Sequence, residues 1–344
     1  MFDEPTSPPS ATPRAVVFGC SGERLSAAER AFFGAADPLG FCLFRRNCRE
    51  PAQVRELVAA LRDAVGRADA PVLIDQEGGR VARLGPPHWT AYPSAARLAS
   101  LPDPLAGEAV HLGMRLIADD LAQLGVTVDC APVLDLPVAG ADAVIGDRAY
   151  DSTPERAAAL GRVAADGLLA GGILPVIKHI PGHGRATVDS HRACPRVATP
   201  RETLSHTDFA PFRALADLPW AMTAHVVYSA IDGDRPATLS ATVIDKIIRG
   251  EIGFHGVLVS DDLSMGALGG RLGERAADAI AAGCDLALHC NGDLAEMEEI
   301  AAATPRLGTA GAGRLARGEA LRLATARGFD RAAAEARFAE VAGR

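Results

Sequence analysis

Several features are missing from this sequence. Its seven cysteines (20, 42, 48, 130, 194, 284 and 290) are odd in number and include no CxxC pair. No disulfide framework can be read from them. Buried free thiols in a reducing compartment are the simplest account, so a cytoplasmic location is expected. No stretch reaches the ~18 uninterrupted apolar residues that a membrane helix requires. A basic excess is absent too. Net charge is −8 with both signs well mixed, which argues against nucleic acid as the main partner and leaves room only for a local basic pocket. The opening MFDEPTSPPSATPR has no basic start leading into an apolar core. Residues 1–13 are therefore expected to form a flexible tail rather than a signal peptide.

What is present suits a globular protein. The 344 residues are 48% hydrophobic and 23% charged, and an α/β barrel of roughly 250 residues would fit with additions to spare. Apolar runs predict strands near Ala15–Cys20, Gly40–Arg45, Pro71–Asp75, Val126–Pro132, Leu174–His179, Trp220–Val227, Gly256–Ser260 and Asp285–Cys290. Helical patterns fall over 51–67, 104–124, 154–170 and 272–282, with Pro51 and Pro154 at helix-starting positions and Ser152-Thr153 as a cap before the second. Eight strands mostly followed by helices predict a parallel α/β sheet, and the count favours a closed (β/α)8 TIM barrel in a single domain over 14–344. A doubly wound open sheet is the alternative. Two irregularities stand out: little helix is evident between the first two strands, and the stretch after Val227 is long and loop-rich. The Ala/Arg-rich segment at about 305–344 reads as helical packing around the outside of the barrel.

Polar residues recur where strands end. Asp75 ends one, Asp129 and Asp135 flank another, Lys178-His179 close a third, His225 lies late in a fourth, and Asp261-Asp262 follow VLVS in a fifth. A lone buried Asp or His is usually a satisfied core group, but barrel enzymes build their sites from several strand ends.

In VLVSDDLSMGAL (257–268) the bland reading is a strand end with a capping Asp. The functional one makes a single Asp a nucleophile, because alternation along a strand sends adjacent side chains to opposite sides. In LIDQEGGRVARL (73–84), Asp75 suits paired sugar hydroxyls, with Arg80 or Arg83 donating opposite; an ordinary strand-to-loop junction would look similar. APVLDL (131–136) and VIGDRAY (144–150) are weak alone, although the planar fork of Arg148 suits hydroxyl or carboxylate oxygens.

KHIPGHGRATVDSH (178–191) holds three histidines, a lysine and an aspartate. A metal-dependent hydrolase using His179, His183 and His191 is one reading. Pro181, Gly182 and Gly184 deny the three histidines a common helical face, however, and zinc sites favour ligands placed by rigid elements. An acid/base device fits better. In an extended loop Asp189 and His191 point the same way, so the carboxylate can fix one imidazole nitrogen and leave the other to exchange protons. No metal or cofactor is expected on this reading.

Taken together, KHIPGHGRATVDSH, SDDLSM, DQEGGR, APVLDL and VIGDR resemble the family 3 glycoside hydrolases, and within them the single-domain β-N-acetylglucosaminidases of bacterial peptidoglycan recycling. The resemblance runs from about Gly40 to Gly292, with Ile180 standing where an aromatic residue is frequent. It implies a (β/α)8 barrel and a retaining mechanism with Asp261 as nucleophile, His191 as general acid/base and Asp189 as its partner. It places Asp75, Arg83, Arg148, Lys178 and His179 at sugar-binding positions and gives His183 no contact, so His183 reads as structural. The implied partner is a carbohydrate, GlcNAc β-linked to muropeptide fragments; the oligomeric state is not readable. A β-glucosidase-type or phosphorolytic relative is the alternative within the family. Large β-glucosidases of the family usually take an acid/base carboxylate from a second domain, whereas here DSH lies inside the barrel segment. The resemblance also implies a hinged loop that could hold His191 far from Asp261 without substrate.

Overall fold

Strands covered on both faces read as continuous apolar runs, and the runs of this sequence behave accordingly. In the computed structural model, which describes residues 12–343, they form eight parallel strands: β1 (Arg14–Phe18), β2 (Pro38–Leu43), β3 (Val72–Ile74), β4 (Val128–Asp129), β5 (Leu174–Ile180), β6 (Trp220–Thr223), β7 (Val257–Asp262) and β8 (Leu286–His289). Each pairs with the next in chain order, and β8 closes on β1 through Val16 opposite Ala287 and Phe18 opposite His289. The fold is a closed (β/α)8 barrel rather than an open sheet. Every residue of β2 and of β5 is buried, including Lys178 and His179.

The longer outer helices are α1 (Ala27–Ala36), α2 (Pro51–Val65), α3 (Leu105–Leu124), α4 (Pro154–Ala170), α5 (Leu272–Ala282) and α6 (Leu294–Ala303). Pro51 and Pro154 open their helices, where a missing N–H costs no hydrogen bond.

Four expectations need correction. A full helix, α1, lies between β1 and β2, and its start was legible: Ser26-x-x-Glu29 forms a capping box, each side chain bonded to the other's backbone N–H. Thr153 precedes α4 without capping it, because its hydroxyl and N–H both go to Asp151 Oδ1 at 2.8 Å. The strand expected over 126–132 is regular only at Val128–Asp129, although the Cys130 N–H and the Ala131 and Pro132 carbonyls still bond the strands beside them. The loop-rich stretch after Val227 holds a π-helix, Val243–Glu251, in the place of a barrel helix.

The C-terminal segment also departs from a simple outer layer. Helix α7 (Thr309–Thr325) crosses the N-terminal mouth of the barrel, with Gly318 against Pro219 and Trp220 and Arg314 bonded to Asp285 at 2.6 Å. Helix α8 (Arg331–Ala342) lies along α3, where Phe338 meets Tyr92 edge-on at 5.9 Å and Arg337 grips Glu108. Of the expected tail, residues 1–11 lie outside the described residues. Thr12 and Pro13 are held, their carbonyls accepting from Arg306 and from the N–H of Leu307. No helix among the described residues is long and apolar enough to cross a membrane.

Candidate active site

The C-terminal ends of β3, β5, β6, β7 and β8 and the loops that follow enclose a cavity of about 230 Å³. Asp75, Arg83, Arg148, Lys178, His179, His183, His191 and Asp261 all border it. Asp189 stands one step outside as the partner of His191. Met222, Leu288 and Phe44 supply apolar wall, and the thiols of Cys42, Cys130 and Cys290 also border it. All seven cysteines are free; five are buried, while Cys48 and Cys194 are half-buried rather than buried as expected.

One wall is an ion network. Lys178 is 1% exposed and sits between Asp75 Oδ1 at 2.7 Å and Glu77 Oε1 at 2.6 Å. Arg83 donates to the second oxygen of Asp75 at 2.8 Å and stacks over the Phe44 ring. Arg148 grips Glu77 with two bonds, at 2.9 and 2.8 Å. Its fork is therefore spent on a carboxylate of the protein rather than left open. Burial alone would raise the carboxyls of Asp75 and Glu77, but Lys178 and the two arginines outweigh it and hold both below their ordinary values. Burial would lower Lys178, but Asp75 and Glu77 outweigh that and raise it. Three cations face two carboxylates, so every member stays charged at neutral pH. A buried network of this kind roughly breaks even as a source of stability, which points to positioning as its use.

Glu77 was not among the expected site residues. Its signal was available: it follows Asp75 by two in an extended stretch, and alternation puts i and i+2 on one side.

The loop carrying Arg148 is braced from outside. Arg80 donates to the carbonyls of Ala143, Val144 and Ile145 and to Asp147 Oδ1. Deeper still, burial pushes the Asp129 carboxyl up to about 7, although it accepts the N–H of Gln76.

The other wall carries the nucleophile candidate and the imidazoles. Both Asp261 and Asp262 border the cavity, although strict alternation would turn one away; the β7–β8 pairing slips between Val259 and Asp262. Their hydrogen bonds separate them. Asp262 is consumed by Ser264 N, Ser264 Oγ and Cys290 N. Among the described residues Asp261 accepts only the N–H of Asp262, at 2.8 Å. Burial would raise its carboxyl, but His179, His225 and that N–H outweigh it and keep it below its ordinary value. A half-buried, ionised carboxylate with lone pairs to spare therefore faces the cavity.

His225 is not a wall residue. It is fully buried, bonded to Thr238 Oγ1 at 2.7 Å and to the Asp262 carbonyl at 3.1 Å, and so props the strand that ends in the two aspartates. Asp135, also fully buried, accepts from His179 Nδ1 at 2.7 Å and from the His183 N–H at 2.6 Å. It orients the start of the loop.

His191 binds Asp189 Oδ1 through Nδ1 at 2.7 Å, leaving Nε2 on a ring that is 64% exposed. The structure does not gather His179, His183 and His191 around one point. Nδ1 of His179 goes to Asp135, Nε2 of His183 goes to Ser190 at 3.0 Å, and Nδ1 of His191 goes to Asp189. Among the described residues no group of three His, Cys, Asp or Glu side chains is placed to hold a metal ion.

A pH prediction follows from the ion network. The unfolded values of Asp75 and Glu77 are near 3.8 and 4.5, and their folded values lie below these. Their contribution to stability is therefore complete above about pH 4.5 and is lost as pH falls through the folded values. Glu77→Gln is expected to lower the melting temperature at neutral pH and to flatten its fall on acidification. Thermal melts from pH 7 down to pH 3 check this.

A parallel barrel with paired carboxylates, a lysine, arginines and an Asp-bound imidazole gathered at its strand ends has the layout of a barrel enzyme. Sequence comparison says which. The Glycosyl hydrolase family 3 N terminal domain matches residues 31–310. A protein named Beta-hexosaminidase from Alkalilimnicola ehrlichii is 42% identical over 283 residues, covering 80% of each chain. Another so named, from Pseudomonas aeruginosa, is 41% identical over 290 residues, covering 83% of this chain and 85% of its own. Native NagZ from Neisseria gonorrhoeae superposes with a TM-score of 0.85 at 32% identity, over 97% of this chain and 99% of its own. NagZ from the same organism has also been solved with N-trifluoroacetyl-D-glucosamine. The chain belongs to glycoside hydrolase family 3 and is a glycosidase.

Proposed function

We propose that the protein is a retaining β-N-acetylhexosaminidase that removes terminal β-linked GlcNAc from peptidoglycan fragments, GlcNAc linked to anhydro-N-acetylmuramic acid with or without stem peptide, in the cytoplasm. The observation that carries the mechanism is the pairing, across one cavity, of the under-bonded carboxylate of Asp261 with the Asp189-bound imidazole of His191. The shared name of the relatives and the sugar bound to the gonococcal enzyme support GlcNAc as the glycone.

On this reading Asp75, Arg83, Arg148, Lys178 and His179 bind the sugar hydroxyls or hold the groups that do. Asp261 attacks the anomeric carbon while His191 Nε2–H protonates the departing oxygen. Water, deprotonated by the same nitrogen, then releases the sugar from Asp261. Asp189 accepts from Nδ1–H, which leaves Nε2 to exchange the proton, and stabilises the imidazolium that donates in the first step and re-forms in the second. Most retaining enzymes use a second carboxyl group for this work, roughly 5–5.5 Å from the nucleophile. A neutral imidazole repels an incoming anion less, so inorganic phosphate can compete with water as a minor acceptor.

The rival is a β-glucosidase-type relative. Turnover of chromogenic β-GlcNAc and β-glucose by the same preparation separates them: a preference for β-GlcNAc of at least about tenfold is expected, and equal or inverted rates would overturn the assignment. Faster release of sugar 1-phosphate than of free sugar in phosphate buffer would make the enzyme a phosphorylase instead.

A further inference from the structure

Only two side chains in the stretch 186–193 are turned inward, Ala186 and Ser190. Ser190 is 3% exposed and meets His183 Nε2 at 3.0 Å, while the next residue, His191, stays largely exposed. Burial, reinforced by the neighbouring His179, pushes His183 down to about 4, so its ring is neutral when it holds the hydroxyl. The backbone on either side is held as well. Gly266 N–H donates to the His191 carbonyl at 3.2 Å, and Ala267 N–H donates to the Ser190 carbonyl at 3.0 Å. Both donors belong to the loop that leaves β7 directly after Asp261 and Asp262.

Position 266 has no room for any other residue. A Cβ there would lie 2.9 Å from the His191 carbonyl oxygen and 3.0 Å from that of Arg192. Both are backbone atoms of the acid/base loop, so no side-chain rotation could relieve the contact. The absence of a side chain at 266 is what lets the two loops close on each other.

We propose that Gly266, with the His183–Ser190 hydrogen bond, forms a socket that seats the acid/base loop, so that the loop after the nucleophile sets the position of the proton donor. Gly266, Ser190 and His183 are then positioning residues. His183 acquires a purpose beyond packing: its N–H is fixed by Asp135 and its ring fixes Ser190, which carries the position of the barrel strand through to His191. The inference rests on His191 being the acid/base.

The test uses the full-length enzyme and two β-N-acetylglucosaminides: an alkyl glycoside, whose leaving group needs a proton, and a dinitrophenyl glycoside, whose leaving group does not. Gly266→Ala and Ser190→Ala are each expected to cut kcat/KM on the alkyl glycoside by at least about tenfold, within the range that general acid–base catalysis supplies. On the dinitrophenyl glycoside kcat/KM should stay within about threefold, while kcat and KM fall together because the glycosyl-enzyme accumulates. Added azide should restore kcat. Equal losses on both substrates, or wild-type behaviour on both, would overturn the socket. His191→Ala is the control. If it shows the leaving-group split and the two socket variants do not, the socket fails while the acid/base reading stands. If His191→Ala shows no split, the reading beneath it has failed. Should Gly266→Ala not fold, Ser190→Ala, which removes one hydroxyl, decides the matter.

Discussion

Replacing Asp261 by alanine is expected to lower kcat/KM for a chromogenic β-GlcNAc substrate by on the order of 10³-fold or more, the scale seen when a nucleophile is removed from a covalent mechanism. The fold should survive. Among the described residues Asp261 makes one hydrogen bond, from the N–H of its neighbour, and an ordinary bond of that kind contributes only about 1 kcal/mol. Asp262→Ala should behave in the opposite way. Its carboxylate joins Ser264 to Cys290 and ties the loop of β7 to the end of β8, so its loss should cost stability before chemistry. Paired kinetics and melts on the two variants distinguish adjacent carboxylates that alternation alone did not separate. Unchanged turnover in the Asp261 variant would remove it from the mechanism.

The second large effect is expected at Lys178. Among the described residues its ammonium is the only cation touching both Asp75 and Glu77. Lys178→Met would leave the buried carboxylate of Glu77 and the half-buried one of Asp75 with their shared counter-charge gone. Breaking a buried pair from one side costs about 3–5 kcal/mol. The variant should unfold at markedly lower denaturant concentration, and what remains folded should show a raised KM because Asp75 and the arginines lose their alignment. Combining Lys178→Met with Glu77→Gln removes one of the stranded charges. The double variant should therefore be more stable than Lys178→Met alone, a coupling that a mutant cycle reads directly. Additive losses would mean that Lys178 acts through packing rather than charge.

These predictions mark the line between what the chain reveals by itself and what needs three dimensions. The barrel was legible because parallel strands sheathed on both sides read as apolar runs, and the polar residues that break those runs fall at strand ends. Asp75, Lys178, His179 and the pair Asp261-Asp262 stand out that way, and the family resemblance picks Asp261 from the pair. Asp189 and His191 were found through i, i+2 geometry in a loop that Pro181 and two glycines keep out of helix. Glu77 is legible by the same rule, two residues after Asp75. Helix α1 carries its own local sign, the capping box at Ser26 and Glu29. Other features left no local trace. Nothing in VIGDRAY says that the Arg148 fork closes on Glu77, 71 residues away. Nothing in SDDLSMGAL says that Gly266 is small because the carbonyls of another loop rest on it. His225 resembled a site residue because it ends a strand, and only its bonds to Thr238 and the Asp262 carbonyl show it to be a prop. Nothing in VDSH says that His191 borders the same cavity as Asp261 with Ser190, Gly266 and Ala267 bonded around it.

The most direct measurement is to incubate the enzyme with a slow-leaving fluorosugar of the GlcNAc series, then digest it and locate the adduct by mass spectrometry. The account predicts a stoichiometric glycosyl ester on the peptide containing Asp261, absent in Asp261→Ala and released on prolonged incubation. An adduct on another carboxylate, or substrate consumed without any adduct, would contradict it.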